Sequence, residues 1–559
     1  MAFPDSAAQP AVSPRIWRVG LPVLVTALFG YGAWLRWTDG FAAITTSDSF
    51  EYLQGALTGD LNQVAWRTFV YPLFLKLCVE HLGGLVAVVA LQKFLGLLAG
   101  ALTFATWMKL KGVIGYRSWG VVLHDTLGLL LLAMMLLSWA STRYFELSIM
   151  LESLSTFALA AVVFAAGGLG VALARPGTRR QVPWWAGALV GLSLFANALN
   201  PRFSPIVVLS VLLAVISLRV SRTGLGRSAV ALGLPVVLAV PLLILPQREL
   251  DRHNPWNRTF VSMHLLFMHA RLTLPEIQRD RDDPGFTRYD RAFMQRFSAA
   301  IEAEFARAAR DGPGGNYTLL YDPNRLLWGE ASDLLRAYAQ GSPDRYNEFC
   351  RYYFRRALTH HPLAYAKKVL YEWAYLFRPG GPMLDDSWDD LPVAAGLAWG
   401  RANSGLYVGR ARDETRPAFA AYQAQLGGSA ETKAVFHTPF PLNQLGLWVN
   451  RCFFPLWLIV GAASAFLLWP RPRDLSGRAL GLAFFGSSLF LMAQLAPLAF
   501  VTTTCGGRAV QGLRTLSAFV TADLGLMSCV LLAIGLGRCC GWPAPALTTH
   551  DEPSSRASD

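Results

Sequence analysis

Acidic, basic and aromatic side chains cluster in one stretch near the start of the chain. It runs Thr46-Ser-Asp-Ser-Phe-Glu-Tyr-Leu-Gln-Gly-Ala-Leu57 and continues as Trp66-Arg-Thr-Phe-Val-Tyr-Pro-Leu-Phe-Leu-Lys76. Ser47 or Asp48 could cap a helix here, and Asp48 and Tyr52 would share one helical face because they are four residues apart. Asp48 therefore has two possible roles. It either caps the helix, or it is a carboxylate held at the membrane surface, where nearby cations could bind an anionic headgroup.

Further charged residues stand at the ends of apolar runs. Glu152 lies about two turns inside the outer end of the run 146–174, where an acid usually faces a cavity or a partner such as Arg143 or Arg202. Arg202 and Arg508 each follow a turn between two apolar runs. Each arginine is either a loop residue or a phosphate ligand, because guanidinium binds phosphate through two parallel hydrogen bonds.

These residues must be positioned by membrane-spanning helices. Of the 559 residues, 53% are hydrophobic and only 16% are charged, and the apolar runs lack the polar face that a soluble core helix needs. Runs of about 17–25 apolar residues predict about ten spans in an all-α polytopic membrane protein. The predicted spans are 18–36, 84–108, 119–140, 146–174, 183–199, 203–219, 228–246, 441–469, 477–500 and 512–537.

Basic residues in the short loops predict the orientation of these spans. If the spans alternate, one side receives Arg15, Arg18, Lys109, Lys111, Arg117, Arg175, Arg179, Arg180, Arg219, Arg222, Arg227, Arg471, Arg473, Arg478 and Arg538. Because cytoplasmic loops carry the excess of Lys and Arg, both termini are predicted to be cytoplasmic, in the inner or plasma membrane. The net charge of +13 is explained by these clusters, so no nucleic-acid partner is expected.

This topology divides the chain into four parts. An N-terminal membrane module, 1–246, contains the first outward loop, 37–83, and is followed by a largely helical extracytoplasmic region, 247–440. C-terminal spans at 441–538 and a cytoplasmic tail at 539–559 complete it. Within the extracytoplasmic region, helices are predicted over 289–310 and 342–377, with His360-His361-Pro362 at a helix start.

The motif text resembles the polytopic GT-C glycosyltransferases, which include protein O-mannosyltransferases and the bacterial aminoarabinose transferase. The resemblance rests on Asp-x-x-x-Tyr at Asp48, on Arg-x-x-x-Tyr-Pro-Leu-Phe-Leu from Arg67 to Leu75, and more loosely on Leu147-Ser-Ile-Met-Leu-Glu-Ser-Leu154. The Arg-x-Pro-Gly-Tyr-Pro form common in bacterial members is here Arg67-Thr-Phe-Val-Tyr-Pro72. The second outward loop also lacks an Asp-Glu pair.

The resemblance implies transfer of a sugar from a polyprenyl-phosphate donor to a lipid, glycan or protein acceptor at the outer face of the bilayer. Asp48 would be the general base, with Glu152 as a second catalytic acid, and direct displacement would invert the anomeric centre. Substrate binding would fall to Glu51, Tyr52, Arg67, Tyr71, Lys76, Arg202 and Arg508. The cations would stabilise the departing phosphate.

Two other functions are open. A transporter or flippase for lipid-linked intermediates should show paired repeats and interrupted helices, and neither is evident in the sequence. A structural subunit of an envelope-assembly complex would dock through 247–440, and Asp48→Asn would then be silent. No cofactor is expected, and the acidic patch Asp385-Asp386 with Asp389-Asp390 is either a divalent-cation site or a solvated loop.

Overall fold

The residues that the computed structural model describes are 15–64, 67–114, 118–137, 143–174, 176–312, 319–377 and 391–428, and most of them are helical. No strand occurs within these ranges, although an isolated parallel bridge pairs Ile44 with Ser148. The all-α prediction is therefore confirmed for this part of the chain.

The N-terminal half supplies most of the apolar helices. Its helices are α1 (Arg15–Thr38), α2 (Ser47–Thr58), α3 (Val70–His81), α4 (Leu85–Ile114), α5 (Ser118–Leu137), α6 (Tyr144–Leu147), α7 (Glu152–Ala174), α8 (Val182–Leu199), α9 (Ser204–Val220), α10 (Leu225–Ala239) and α11 (Leu245–His253). A π-helical segment, Val240–Ile244, joins α10 to α11 without a break. Each of the first seven predicted spans coincides with one of these helices.

Five segments within the described ranges are long and apolar enough to cross a membrane, which indicates a membrane protein. They are Val19–Thr38, Leu85–Lys109, Glu152–Ala174, Gly177–Leu199 and Leu225–His253. Two shorter apolar helices, His124–Leu137 and Ser204–Val220, coincide with further predicted spans. The predicted spans at 441–469, 477–500 and 512–537, and the tail, lie outside the described residues.

Helix α7 lies at the centre of the membrane module, packed between α4 and α8. Small residues allow this close approach: a Cβ atom on Gly168 would lie 2.5 Å from the ring of Trp185. Glu152 is the first residue of α7. The prediction that it lies two turns inside a span is therefore wrong, because the chain from Arg143 to Leu151 forms α6 and an extended segment instead.

The first outward loop folds as two short helices. Thr46, rather than Ser47 or Asp48, takes the N-cap position of α2, and its backbone N–H donates to Ser49 Oγ at 2.9 Å. Helix α2 ends at Gly59, whose φ of +74° is left-handed and suits glycine. Helix α3 has 12 residues, which is too short to span a bilayer.

The extracytoplasmic region predicted at 247–440 contributes to two separate cores. Its helices after α11 are α12 (Phe260–Phe267), α13 (Ala270–Asp282), α14 (Arg291–Asp311), α15 (Pro323–Leu327), α16 (Glu330–Tyr338), α17 (Pro343–His360), α18 (Pro362–Phe377), α19 (Leu391–Arg410) and α20 (Arg416–Gly428). Helices α12 to α17 share an aromatic-rich core of their own. Helix α19 instead packs on α2, and α20 packs on α19 and α4, so that Tyr407 and Phe419 join the core of the membrane module.

Glu276 joins α13 to the junction of α17 and α18. Its buried carboxylate accepts hydrogen bonds from His360 Nδ1 at 2.8 Å, His361 Nε2 at 3.0 Å, Arg356 Nε at 3.0 Å and Arg279 Nη1 at 3.1 Å. The two histidines predicted at a helix start therefore lie where one helix ends and the next begins. They fix the angle between the two helices.

Candidate functional site

The segment after α1 and the segment before α7 meet beside the start of α2. Ile44 N donates to Leu147 O at 2.9 Å, and Ile149 N donates back to Ile44 O at 2.9 Å. Ser49 Oγ, in the first turn of α2, donates to Ile149 O at 3.0 Å. These bonds hold the chain entering α7, and therefore Glu152, against the helix that carries Asp48.

Arg67 lies at the centre of the polar side chains that this arrangement collects. Its Nη2 atom contacts Asp48 Oδ1 at 3.0 Å and Glu51 Oε2 at 2.9 Å, and its Cζ lies 4.8 Å from the centroid of the Tyr52 ring. Glu152 also interacts electrostatically with Arg67. One guanidinium therefore contacts two carboxylates and an aromatic ring, and a third carboxylate acts on it electrostatically.

The members of this cluster differ in exposure. The side chain of Arg67 is 16% exposed, whereas those of Asp48 and Glu51 are 42% and 34% exposed. Burial raises the pKa of Glu51, Arg67 opposes that rise and Asp48 adds to it, so the net shift is upward. The partly exposed carboxylates can meet a ligand from the outside while the arginine stays fixed beneath them.

Tyr52 and Tyr71 connect the cluster to the helices below. Their rings meet edge to face at 5.1 Å, and the hydroxyl of the fully buried Tyr71 donates to Gln92 Oε1 at 2.9 Å. Gln92 Nε2 in turn donates to Glu146 O at 2.9 Å and Ser148 O at 3.0 Å, with a longer contact to Phe145 O at 3.3 Å. Burial raises the pKa of Tyr71, so its hydroxyl keeps its proton and acts as a donor.

The segment after Arg67 is fixed from two sides. Thr68 Oγ1 donates to Leu199 O at 2.8 Å, and Phe69 N donates to Gln247 Oε1 at 3.1 Å. Arg202 lies in the 3₁₀ turn Pro201–Phe203 just after Leu199, which places its backbone on the same side of the module as Arg67. The side chain of Arg202, and all of Arg508, lie outside the described part of the chain.

Lys76 lies away from the cluster, although the sequence places it among the substrate-binding cations. Its Nζ donates to Gly59 O at 2.5 Å and lies 3.9 Å from Glu80. Gly59 ends α2 while Asp48 begins it, which separates the two by about 16 Å along the helix axis. Lys76 therefore caps the far end of α2.

A layer of buried ion pairs lies beneath the site. Arg36 Nη2 contacts Glu146 Oε1 at 2.6 Å with side-chain exposures of 3% and 2%, and Arg143 Nε donates to Asp39 Oδ2 at 2.8 Å. Lys93 Nζ donates to the backbone carbonyls of Arg36 and Gly40. Arg143 therefore pairs with Asp39.

Sequence reasoning missed the roles of Arg36, Asp39 and Lys93. A usable signal was present, because Lys93 stands inside the predicted span 84–108, and a charge at such a position marks either a partner or a functional group. Burial raises the pKa of Glu146 against the opposing effect of Arg36. The layer fixes the chain between α5 and α7 to the end of α1.

The described residues contain no group of three His, Cys, Asp or Glu side chains arranged to hold a metal ion. The predicted acidic patch at 385–390 lies outside them. No protein-family model, no curated protein and no solved structure matches the chain. The resemblance to GT-C enzymes therefore stays a prediction that rests on the motif text and on the cluster around Arg67.

Proposed function

We propose that the chain is an integral-membrane glycosyltransferase of the GT-C type, which moves a sugar from a polyprenyl phosphate to an acceptor on the extracytoplasmic side. One observation supports this most directly. Asp48, Glu51 and Tyr52 of α2 meet around the guanidinium of Arg67, which lies on the segment before α3, and the charge of Glu152 at the start of α7 also acts on that guanidinium. Such a cluster provides both a proton acceptor and a phosphate ligand.

The proposed reaction is a single displacement. The acceptor hydroxyl or amine attacks the anomeric carbon, Asp48 takes its proton, and the bond from that carbon to the phosphate oxygen breaks with inversion. The departing lipid phosphate gains negative charge, which a guanidinium stabilises through paired hydrogen bonds. Arg67 would exchange its carboxylate contacts for this phosphate, with Arg202 and Arg508 as further candidate ligands.

The proposal includes the topology. Ten spans with both termini in the cytoplasm would place α2, α3 and the helices from α12 to α20 outside the inner or plasma membrane. The donor's lipid tail would then remain in the bilayer while its phosphate reaches the loop between α1 and α4.

The test is transfer of a radiolabelled sugar from polyprenyl phosphate in membranes that carry each variant. Asp48→Asn should lower the rate about 10²- to 10⁴-fold, the usual contribution of a general base. Asp60→Asn is the matched control, because Asp60 lies in the same loop and its exposed carboxylate accepts one hydrogen bond among the contacts described, from Asn62 N. Full activity in Asp48→Asn would remove Asp48 as the base and would favour the structural-subunit alternative.

The Glu51→Gln variant distinguishes the roles of the two partly exposed carboxylates, Asp48 and Glu51. Burial raises the pKa of Glu51 above that of an ordinary glutamate, so this side chain is a second candidate for the base. If Glu51→Gln abolishes transfer while Asp48→Asn does not, the base has been assigned to the wrong residue of the same cluster.

A further inference from the structure

An open groove of about 830 Å³ lies on the helical bundle of α12 to α17, away from Asp48 and Arg67. Its lining is Arg258, Arg288, Asp344, Asn347, Glu348, Arg351, Tyr352, Arg355, Arg356 and Thr359. Five of these ten residues are arginine and two are acidic, which leaves an excess of three positive charges. A volume of this size is typical of small-molecule sites.

One face of α17 forms most of the groove. Its residues from Asp344 to Thr359 recur at three- and four-residue intervals, which places them in a single stripe along the helix. Arg351 and Arg355 are four apart, so two like charges are neighbours on that stripe, an arrangement that destabilises an isolated helix. An anion bound between them would relieve the repulsion.

The five guanidinium groups differ in the number of ion pairs that they make. Arg288 contacts Glu348 at 2.6 Å, and Arg356 is held by Asp280 at 2.7 Å in addition to Glu276. Within the described ranges, Arg258, Arg351 and Arg355 make no ion pair, and the first and last are solvent-exposed. These three guanidinium groups therefore have N–H donors available to a ligand in the groove. One of their donors is in use, because Arg351 Nε donates to Ser262 Oγ at 3.0 Å.

Tyr352 gives the groove a rigid floor. Arg288 Cζ lies 4.5 Å above its ring, and Arg356 Nη1 donates to its hydroxyl at 2.9 Å. The ring and the ion pairs therefore hold two arginines in place, while the other three remain available for a ligand.

We propose that this groove binds a phosphate-bearing anion. Planar guanidinium groups match the oxygens of phosphate, and three of them around one groove suit a group with more than one negative charge better than they suit a single carboxylate. Arg258 follows the candidate membrane span Leu225–His253 by only five residues, so the groove lies near the end of a membrane helix. The phosphate can therefore belong to a lipid headgroup or to a soluble molecule. This site does not depend on the proposed glycosyl transfer.

The experiment uses the full chain in nanodiscs of phosphatidylcholine, with inorganic pyrophosphate as the probe in a calorimetric titration. Arg351→Gln with Arg355→Gln should weaken pyrophosphate binding about tenfold or more, since two charge-assisted contacts are lost. Arg296→Gln with Arg310→Gln is the matched control, because both arginines are exposed on α14 and make no ion pair within the described ranges. The control should bind as the wild type does.

Two further arms complete the test. Arg258→Gln alone, on a different segment, should weaken binding about threefold or more, which guards against a local effect on α17. In nanodiscs with phosphatidylglycerol, weaker apparent pyrophosphate binding identifies a lipid headgroup as the occupant, and unchanged binding identifies a soluble phosphate compound. Absence of saturable binding by the wild type in neutral discs, or equal loss in the groove and control variants, would overturn the proposal.

Discussion

Gln92 connects the segment 143–151 to Tyr71 of α3, and Gln92→Leu should loosen both. The substitution removes the acceptor of the Tyr71 hydroxyl and the donor to the carbonyls of Glu146 and Ser148, all of which are buried. Each of these three bonds is worth about 1 kcal/mol net, and leaving the buried partners unsatisfied adds to the cost. We expect a loss of about 3 kcal/mol in the local stability of the segment 143–151.

Hydrogen exchange by mass spectrometry on the full chain in nanodiscs measures this loss directly. A loss of 3 kcal/mol corresponds to exchange about 150-fold faster in peptides from 143–151. Tyr71→Phe removes only one of the three bonds and should cost about 1 kcal/mol, so the two variants form a graded series. Because they share a bond, the double variant should cost less than the sum of the two. If Gln92→Leu exchanges like the wild type, the bonds to the outward segment do not stabilise it.

Two further predictions concern stability. Burial would raise the pKa of Glu276, but its histidine and arginine partners outweigh that effect, so the pKa is lowered. The ionised carboxylate therefore stabilises the fold fully above the ordinary glutamate pKa of about 4.3. This contribution disappears as the pH falls through the lowered pKa. Glu276→Gln should therefore speed exchange in α17 and α18 at pH 7 by an amount equivalent to about 2 kcal/mol, unlike the exposed Glu302→Gln. The difference between Glu276→Gln and the wild type should shrink as the solution is acidified, and a difference independent of pH would contradict this. A Cβ on Gly96 would lie 1.8 Å from Glu146 Oε1, so Gly96→Ala should lower the free energy of unfolding by about 1–3 kcal/mol. The control is Gly233→Ala, because a Cβ on Gly233 would have nothing within 4 Å. Equal melting temperatures of the two variants would refute the clash.

The apolar helices could be predicted because the information is local. A run without a polar face specifies a membrane helix whatever its neighbours are, and seven predicted spans coincide with helices. The same local argument placed Glu152 wrongly. Hydropathy alone does not reveal that Arg143 and Glu146 form ion pairs with Asp39 and Arg36 at the end of α1. Because of these ion pairs, the residues before Glu152 do not continue the apolar helix, and α7 starts at Glu152.

The candidate site could be predicted in part. Asp48, Tyr52 and Arg67 are close in sequence, so one short helix and one turn bring them together. The position of Lys76 could not be deduced, because it depends on where α3 packs against the end of α2. The split of the extracytoplasmic region into two cores depends on contacts between residues more than 300 positions apart, such as Thr45 Oγ1 and Tyr422 Oη at 3.0 Å, and no local pattern encodes them.

The late pair α19 and α20 also has a consequence for biosynthesis. Arg412 N donates to Leu57 O at 3.0 Å, and the Arg412 guanidinium contacts Glu80, so a segment that is translated more than 300 residues later packs on α2 and α3. Until about residue 428 has left the ribosome, the outer surfaces of α2 and α3 have no cover from this hairpin. The nascent chain must therefore keep an apolar surface from aggregating while more than 300 further residues are added, and this surface is where a chaperone would be needed.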